Sequence, residues 1–231
     1  MVVGRLSTPA AILLDALGTL LELQPPAPAL RRELGARFGM RIDESAAGRA
    51  IEAEIAYYRI HHREGRDRDS LASLRRRCTQ VLAQALGGPA LPTDELEHAM
   101  LASLRFAPFA EVPGTLDALR SLGVRLVVVS NWDCSLPDAL AATGLGARLD
   151  GTITSAQAGA AKPDPSIFRA ALAAAGVPAS AAVHVGDSPR EDVQGARAAG
   201  IEPILVLRGR GAAPPNVRTI RSLDELVELA A

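Results

Sequence analysis

The sequence predicts an α/β fold: a doubly wound, Rossmann-like parallel sheet carrying an inserted, all-helical cap. Three observations predict it. Continuous apolar runs recur along the chain and each ends in a polar residue, as strands buried on both faces do. Helical periodicity fills the intervals between most of them. One long stretch, about residues 30–102, is helical in pattern and shows no strand signal.

Taken in order, the first strand is Ala10–Leu14, which runs into Asp15. The second is Val124–Val129, followed by Ser130-Asn131, and the third is Ala181–Val185, followed by Gly186-Asp187. Ile204–Leu207 reads as a fourth. Helices are expected at Thr115–Ser121, Leu136–Ala142, Pro165–Ala175, Glu191–Ala199 and Leu223–Leu229. Within the insertion, Arg31–Phe38, Ser45–His61, Leu71–Leu86 and Thr93–Leu104 have helical spacing. Gln24-Pro25-Pro26 marks its entry, and Pro108 to Pro113-Gly114 its return. The core domain is therefore expected at 1–23 and 107–231, and the cap at 24–106.

Composition narrows the partners. A chain of 231 residues, 48% hydrophobic, has ample material for such a core. A formal charge of −1 gives nucleic acid or an anionic membrane no electrostatic hold. Ala10–Leu14 is too short for a membrane span or a signal sequence. Cys78 and Cys134 lack metal-ligand spacing, so a reduced, cytoplasmic protein acting on a small molecule is expected, as monomer or homodimer. One count stands out: of the 25 basic residues, Lys162 is the sole lysine. A position that keeps lysine where arginine serves everywhere else suggests a need for a compact ammonium.

Ligands of open parallel sheets bind beyond the carboxyl ends of the strands. Here those ends supply Asp15, Ser130-Asn131 and Asp187, with Asp192 five residues after Asp187. A carboxylate at Asp15 could act as a nucleophile, and Gly18 would permit a tight turn behind it. Several carboxylates beside one another repel unless a hard cation lies among them, and Mg²⁺ is the ordinary choice.

Asp15-x-x-Gly18-Thr19-Leu20, Ser130-Asn131, Lys162-Pro163-Asp164-Pro165 and Gly186-Asp187-Ser188-x-x-x-Asp192 together resemble the haloacid dehalogenase-like (HAD) hydrolases, in order and spacing. The resemblance covers essentially the whole chain, including a helical cap after the first motif. It implies that Asp15 forms a covalent aspartyl intermediate and that Ser130, with Asn131, binds the transferring group. Thr19 would order the loop or bind phosphate, and Lys162 would neutralise charge beside Asp15. It also implies Mg²⁺ held by Asp15, the Leu17 backbone carbonyl and Asp187, with Asp192 ligating through water or orienting that shell.

One position departs from the family's phosphatases. The residue two after the nucleophile is usually a second aspartate, which protonates the leaving group and later activates water. Here it is Leu17. Its loss typically costs about 10²–10⁴ in rate. The family's dehalogenases also lack that aspartate, because halide leaves without a proton, so a 2-haloacid dehalogenase is an alternative. Dehalogenases of the family work without metal and lack the first acid of the last motif, whereas Asp187 and Asp192 are both present. The expectation is a Mg²⁺-dependent phosphatase on a small phosphorylated metabolite, with a weakly active or non-catalytic binder as a further alternative.

Other residues are read more plainly. Trp132 and Asp133 are candidates for the pocket mouth, Cys134 reads as a buried, inert thiol and His184 as a core histidine. His61-His62-Arg63 reads as a solvated helix end, Arg41, Arg49 and Tyr57-Tyr58 as possible cap specificity residues, and Arg208-Gly209-Arg210-Gly211 as a loop.

Overall fold

A computed structural model describes residues 8–88, 90–209 and 214–230. The chain divides into two compact units, one formed by Met1–Glu22 with Pro108–Ala231 and the other by Leu23–Ala107. In chain order the elements begin with β1 (Ala11–Leu14) and β2 (Leu21–Leu23), followed by α1 (Pro26–Phe38), α2 (Glu44–His61), α3 (Arg68–Leu86) and α4 (Thr93–Ser103). Then come β3 (Phe106–Pro108), α5 (Val112–Ser121), β4 (Arg125–Ser130), α6 (Leu136–Ala142), β5 (Gly151–Thr154), α7 (Ser155–Ala158) and α8 (Pro165–Ala175). The remainder is β6 (Ala182–Gly186), α9 (Gly195–Ala198), β7 (Glu202–Val206), β8 (Arg218–Ile220) and α10 (Glu225–Ala230).

The first unit is built on a six-stranded sheet of order β5-β4-β1-β6-β7-β8, in which every pair is parallel. The predicted doubly wound sheet is therefore present. Strand β1 is central and wholly buried, which is why its sequence is an unbroken apolar run rather than an alternation. One face packs Leu13, Val127 and Val129 against Ile167, Phe168, Ala171 and Ala175 of α8. Leu14 stands level with Val128 of β4 on one side and Val185 of β6 on the other. The residues that follow these three strands thus emerge together at one edge of the sheet.

The four apolar runs are strands, with boundaries moved by one or two residues; Ser130 is the last residue of β4 rather than the first of a loop. Two strands of this sheet escaped sequence reading. They are β5 and β8, which form the outer edges. An edge strand has one neighbour and needs less apolar side chain, so Gly151–Thr154 and Arg218–Ile220 carry no strong run. The expected helix at Glu191–Ala199 is also modified. A π-helical turn spans Pro189–Gln194, and α9 continues from Gly195.

In the second unit α1–α4 enclose an apolar cluster of Leu30, Leu34, Ala47, Ala50, Ile51, Leu74, Cys78, Leu82, Leu96 and Met100. Asp43 caps α2 by accepting from the Ala46 N–H at 2.6 Å, and Asp67 and Ser70 form a capping box at the start of α3. Among the described residues no helix is long and apolar enough to cross a membrane. Of the expected loop after β7, Arg210 and Gly211 lie outside the described residues.

Candidate active site

At the carboxyl edge of the sheet the side chains of Asp15, Ser130, Lys162, Asp187 and Asp192 come together, all within the first unit. Lys162, placed by the loop before α8, is buried and its Nζ donates to Asp15 Oδ1 at 2.5 Å and to Asp192 Oδ1 at 2.6 Å. Ser130 Oγ donates to the same Asp15 Oδ1 at 3.2 Å. Among the described residues the bonds to this carboxylate fall on Oδ1, which leaves Oδ2 free of a competing donor. Asn131 braces the loop that carries the lysine: its Oδ1 accepts from the Lys162 backbone N–H at 2.8 Å, and its Nδ2 donates to the Lys162 carbonyl at 3.1 Å.

Two glycines make room for two carboxylates. A Cβ on Gly18, whose φ is +84°, would lie 2.2 Å from Asp187 Oδ2. A Cβ on Gly186 would lie 2.1 Å from Asp192 Cγ. Neither position tolerates any other residue without displacing the acid beside it. The π-helical turn begins two residues after Asp187 and carries Asp192, which closes back on Ser188 by accepting its N–H on Oδ2 at 2.9 Å.

His184, on β6, is fully buried edge-on to Phe168, with ring centroids 4.9 Å apart. Its Nε2 lies 2.9 Å from Asp192 Oδ1. A carboxylate oxygen only accepts, so Nε2 carries the hydrogen and Nδ1 remains as a buried atom without a partner among the described residues. The expected core histidine is thus also a donor to the site. Its one sequence signal was a polar ring inside an apolar strand two residues before Gly186.

Electrostatics follow from burial and charge. Burial pushes the Asp15 carboxyl up to about 6; Lys162 opposes this, while Asp192 and Asp187 reinforce it. Asp187 is also raised, first by burial and then by the Asp192 charge. Burial would raise Asp192 too, but Lys162 and His184 hold it well below the ordinary carboxylate range. For Lys162 the attraction of Asp15 and Asp192 outweighs desolvation and keeps the ammonium charged.

Three carboxylates facing one ammonium leave negative charge over. One oxygen from each of Asp15, Asp187 and Asp192 lies within 4.8 Å of the others. An all-oxygen, hard donor set with surplus negative charge fits Mg²⁺. Asp192 already has Oδ1 shared by Lys162 and His184 and Oδ2 held by Ser188, so its part in such a site is support, while Asp15 and the exposed Asp187 have oxygens to offer.

Other predicted residues take varied places. Thr19 is fully buried and its hydroxyl has no partner among the described residues, so it lies beneath the loop rather than on the pocket surface. Leu17 is 37% exposed at the site. Trp132 and Asp133 are buried, with Asp133 Oδ1 accepting from the Ser135 N–H at 2.7 Å. In the helical unit His61 stacks on Tyr57 at 4.2 Å and bonds Glu64 at 2.7 Å, and His62 is buried, so this pair is not a freely solvated helix end.

The family model of haloacid dehalogenase-like hydrolases matches residues 9–200. The chain belongs to this family. The HAD-like hydrolase is 37% identical over 137 residues to haloacid dehalogenase-like hydrolase domain-containing protein 3 of Danio rerio, covering 58% of this chain and 57% of that protein. The match thus spans little more than half of that relative's length. It is 28% identical over 240 residues to a phosphoserine phosphatase of Thermus thermophilus, covering 94% of this chain and 96% of the relative. The HAD-like hydrolase also superposes on a 2-haloacid dehalogenase from Pseudomonas syringae with a TM-score of 0.66 and 25% identity, over 95% of this chain and 96% of the other.

Proposed function

We propose that this HAD-like hydrolase is a Mg²⁺-dependent phosphatase acting on a small phosphorylated metabolite whose leaving group needs little protonation, such as an acyl phosphate. The observation that carries the reading is the buried Asp192–Lys162–Asp15 chain beside a third carboxylate. That cluster is electrostatically unfavourable without a divalent cation and well matched to a phosphoryl group with one. Two phosphatase-named relatives, a phosphoserine and a phosphoglycolate phosphatase, support it.

In this reading a carboxylate oxygen of Asp15 attacks phosphorus, an O–P bond forms, and the bond to the leaving oxygen breaks with its electron pair. Lys162 and Ser130 fix the Asp15 carboxylate through Oδ1, so it meets the reactant in one orientation. Lys162 also offsets negative charge on the transferring group, the dominant requirement of phosphoryl transfer. Water then attacks the aspartyl phosphate, inorganic phosphate leaves, and the Asp15 carboxylate returns. Bound Mg²⁺, held by Asp15, Asp187 and the Leu17 carbonyl with support from Asp192, would supply neutralisation of phosphate charge. Leu17 cannot donate a proton to a departing alkoxide, whereas a carboxylate leaving from an acyl phosphate needs none.

Leu17 also favours one second reading, a 2-haloacid dehalogenase, since halide leaves without a proton. Asp187 and Asp192 weigh against it. A panel of alkyl phosphates, acyl phosphates and 2-haloacids, each with Mg²⁺ or a chelator, separates the two. Acyl-phosphate turnover that stops on chelation supports the phosphatase; halide release in chelator supports the dehalogenase. No turnover and no trapping of beryllium fluoride would leave a non-catalytic binder.

A further inference from the structure

We propose that Arg208 is a positioning residue for the loop behind Asp15: its guanidinium holds the Gly18 and Thr19 carbonyls and so sets the backbone that carries Leu17. Arg208 follows β7 and comes from a segment that sequence reading treats as a plain loop. Its Nε donates to the Gly18 carbonyl at 3.2 Å and its Nη2 to the Thr19 carbonyl. Its Nη1 donates to Glu111 Oε1 at 2.7 Å, and its guanidinium carbon lies 3.4 Å over the Phe109 ring. One planar fork thus ties the catalytic loop to the start of α5 and the segment before it.

Peptide planarity explains what the tie does. In a trans peptide the C=O and the following N–H point in opposite directions. With the Gly18 and Thr19 carbonyls on Arg208, the N–H groups of Thr19 and Leu20 point away from it, and both donate to the Ala16 carbonyl, at 3.4 and 2.8 Å. The Leu21 N–H joins them at 2.8 Å. The loop is therefore gripped on one side by Arg208 and on the other by the Ala16 carbonyl, and the latter fixes the Ala16–Leu17 peptide plane next to Asp15. The grip falls where it is most needed, because a glycine at φ +84° has a readily flipped peptide. Any shift of Gly18 would also disturb Asp187, which fills the space where a Cβ would be. Lysine could not replace this arginine: it presents one point charge, not a fork that reaches three acceptors while stacking on a ring.

The activity readout rests on the phosphatase reading; the structural readout does not. Hydrogen exchange of the segment 11–23 is compared in the parent, Arg208→Ala and Arg208→Lys, together with hydrolysis of acetyl phosphate in Mg²⁺. Amides 18–21 of Arg208→Ala should exchange about tenfold faster while those of β4 and β6 are unchanged. Its kcat should fall about 10- to 100-fold with little change in KM, as expected when a reacting group is misplaced rather than removed. Arg208→Lys should recover little of this, and methylguanidinium added to Arg208→Ala should recover part of it. Parent-like exchange in Arg208→Ala, or a fully active Arg208→Lys, would overturn the proposal. If Arg208→Ala fails to fold, Arg208→Lys decides by the same exchange measurement, faster loop exchange supporting the clamp and parent-like exchange sinking it. If the parent hydrolyses no phosphate, the phosphatase reading fails, and exchange still tests the clamp.

Discussion

The helical unit and the carboxyl edge of the sheet obtain order by opposite means. In α1–α4 order comes from an apolar stripe on each helix, and polar groups serve mainly at the ends, as Asp43 and Asp67 do. At the sheet edge it comes from polar atoms bonded to one another inside the protein: Lys162 to two aspartates, His184 to one of them, Arg208 to two carbonyls. The first kind of order tolerates exchange of similar side chains. The second depends on particular atoms at particular places, and it is where chemistry can be done.

The sharpest way to break this contrast is Lys162→Arg, which keeps the charge but not the compact ammonium between two buried carboxylates. Phosphoryl transfer should fall by about 10²–10³, the scale of losing a charge-stabilising donor. Steady-state kinetics on acyl phosphate checks it, and parent-like turnover would show the lone lysine to be coincidental. Leu17→Asp comes next. Restoring a carboxyl two residues past Asp15 should raise turnover of alkyl phosphates by about 100-fold, the lower end of general acid–base catalysis. Equal activity of variant and parent would mean that another group already serves.

Gly186→Ala should then cost about 2 kcal/mol in urea unfolding, since its new Cβ would meet Asp192 Cγ at 2.1 Å. A smaller effect is expected from pH. Asp15 titrates at about 6 in the fold against 3.8 ordinarily, so folding favours its protonated form. Its contribution to stability is full below 3.8 and is lost as pH rises through 6. Mg²⁺ requires the ionised form, so calorimetric Mg²⁺ affinity should be about tenfold weaker at pH 5 than at pH 7. Asp192, held low by Lys162 and His184, contributes in the opposite sense: stability present above its ordinary value and lost in acid. The smallest effect completes the comparison. Gly48, inside α2, has open space where a Cβ would go, and Gly48→Ala should add about 0.5–1 kcal/mol. A glycine that improves on substitution in one unit and fails in the other would express the difference directly.

This contrast also explains what was legible in the sequence. The buried strands were readable because burial on both faces imposes unbroken apolar runs, and the helices of the second unit because burial of one face imposes helical spacing. Asp15, Ser130 and Asp187 were readable because they stand at the ends of such runs, and Lys162 and Asp192 because they follow in motifs of fixed spacing. Edge strands β5 and β8 were not, since one neighbour demands little apolar side chain. The roles of His184 and Arg208 were not legible because they depend on three-dimensional partners: Asp192 lies eight residues from His184, and Gly18 lies 190 residues from Arg208. The π-helical turn at Pro189–Gln194 has no periodicity to distinguish it from an ordinary helix start.

The central claim is that Asp15 is a phosphoryl-accepting nucleophile. Rapid acid quenching of the protein turning over acetyl phosphate in Mg²⁺, followed by peptide mass spectrometry, tests it most directly. The account predicts one phosphoryl group on the peptide containing Asp15, absent in Asp15→Asn and absent when Mg²⁺ is chelated. An unmodified Asp15 during demonstrated turnover, or a phosphoryl group on another residue, would contradict it.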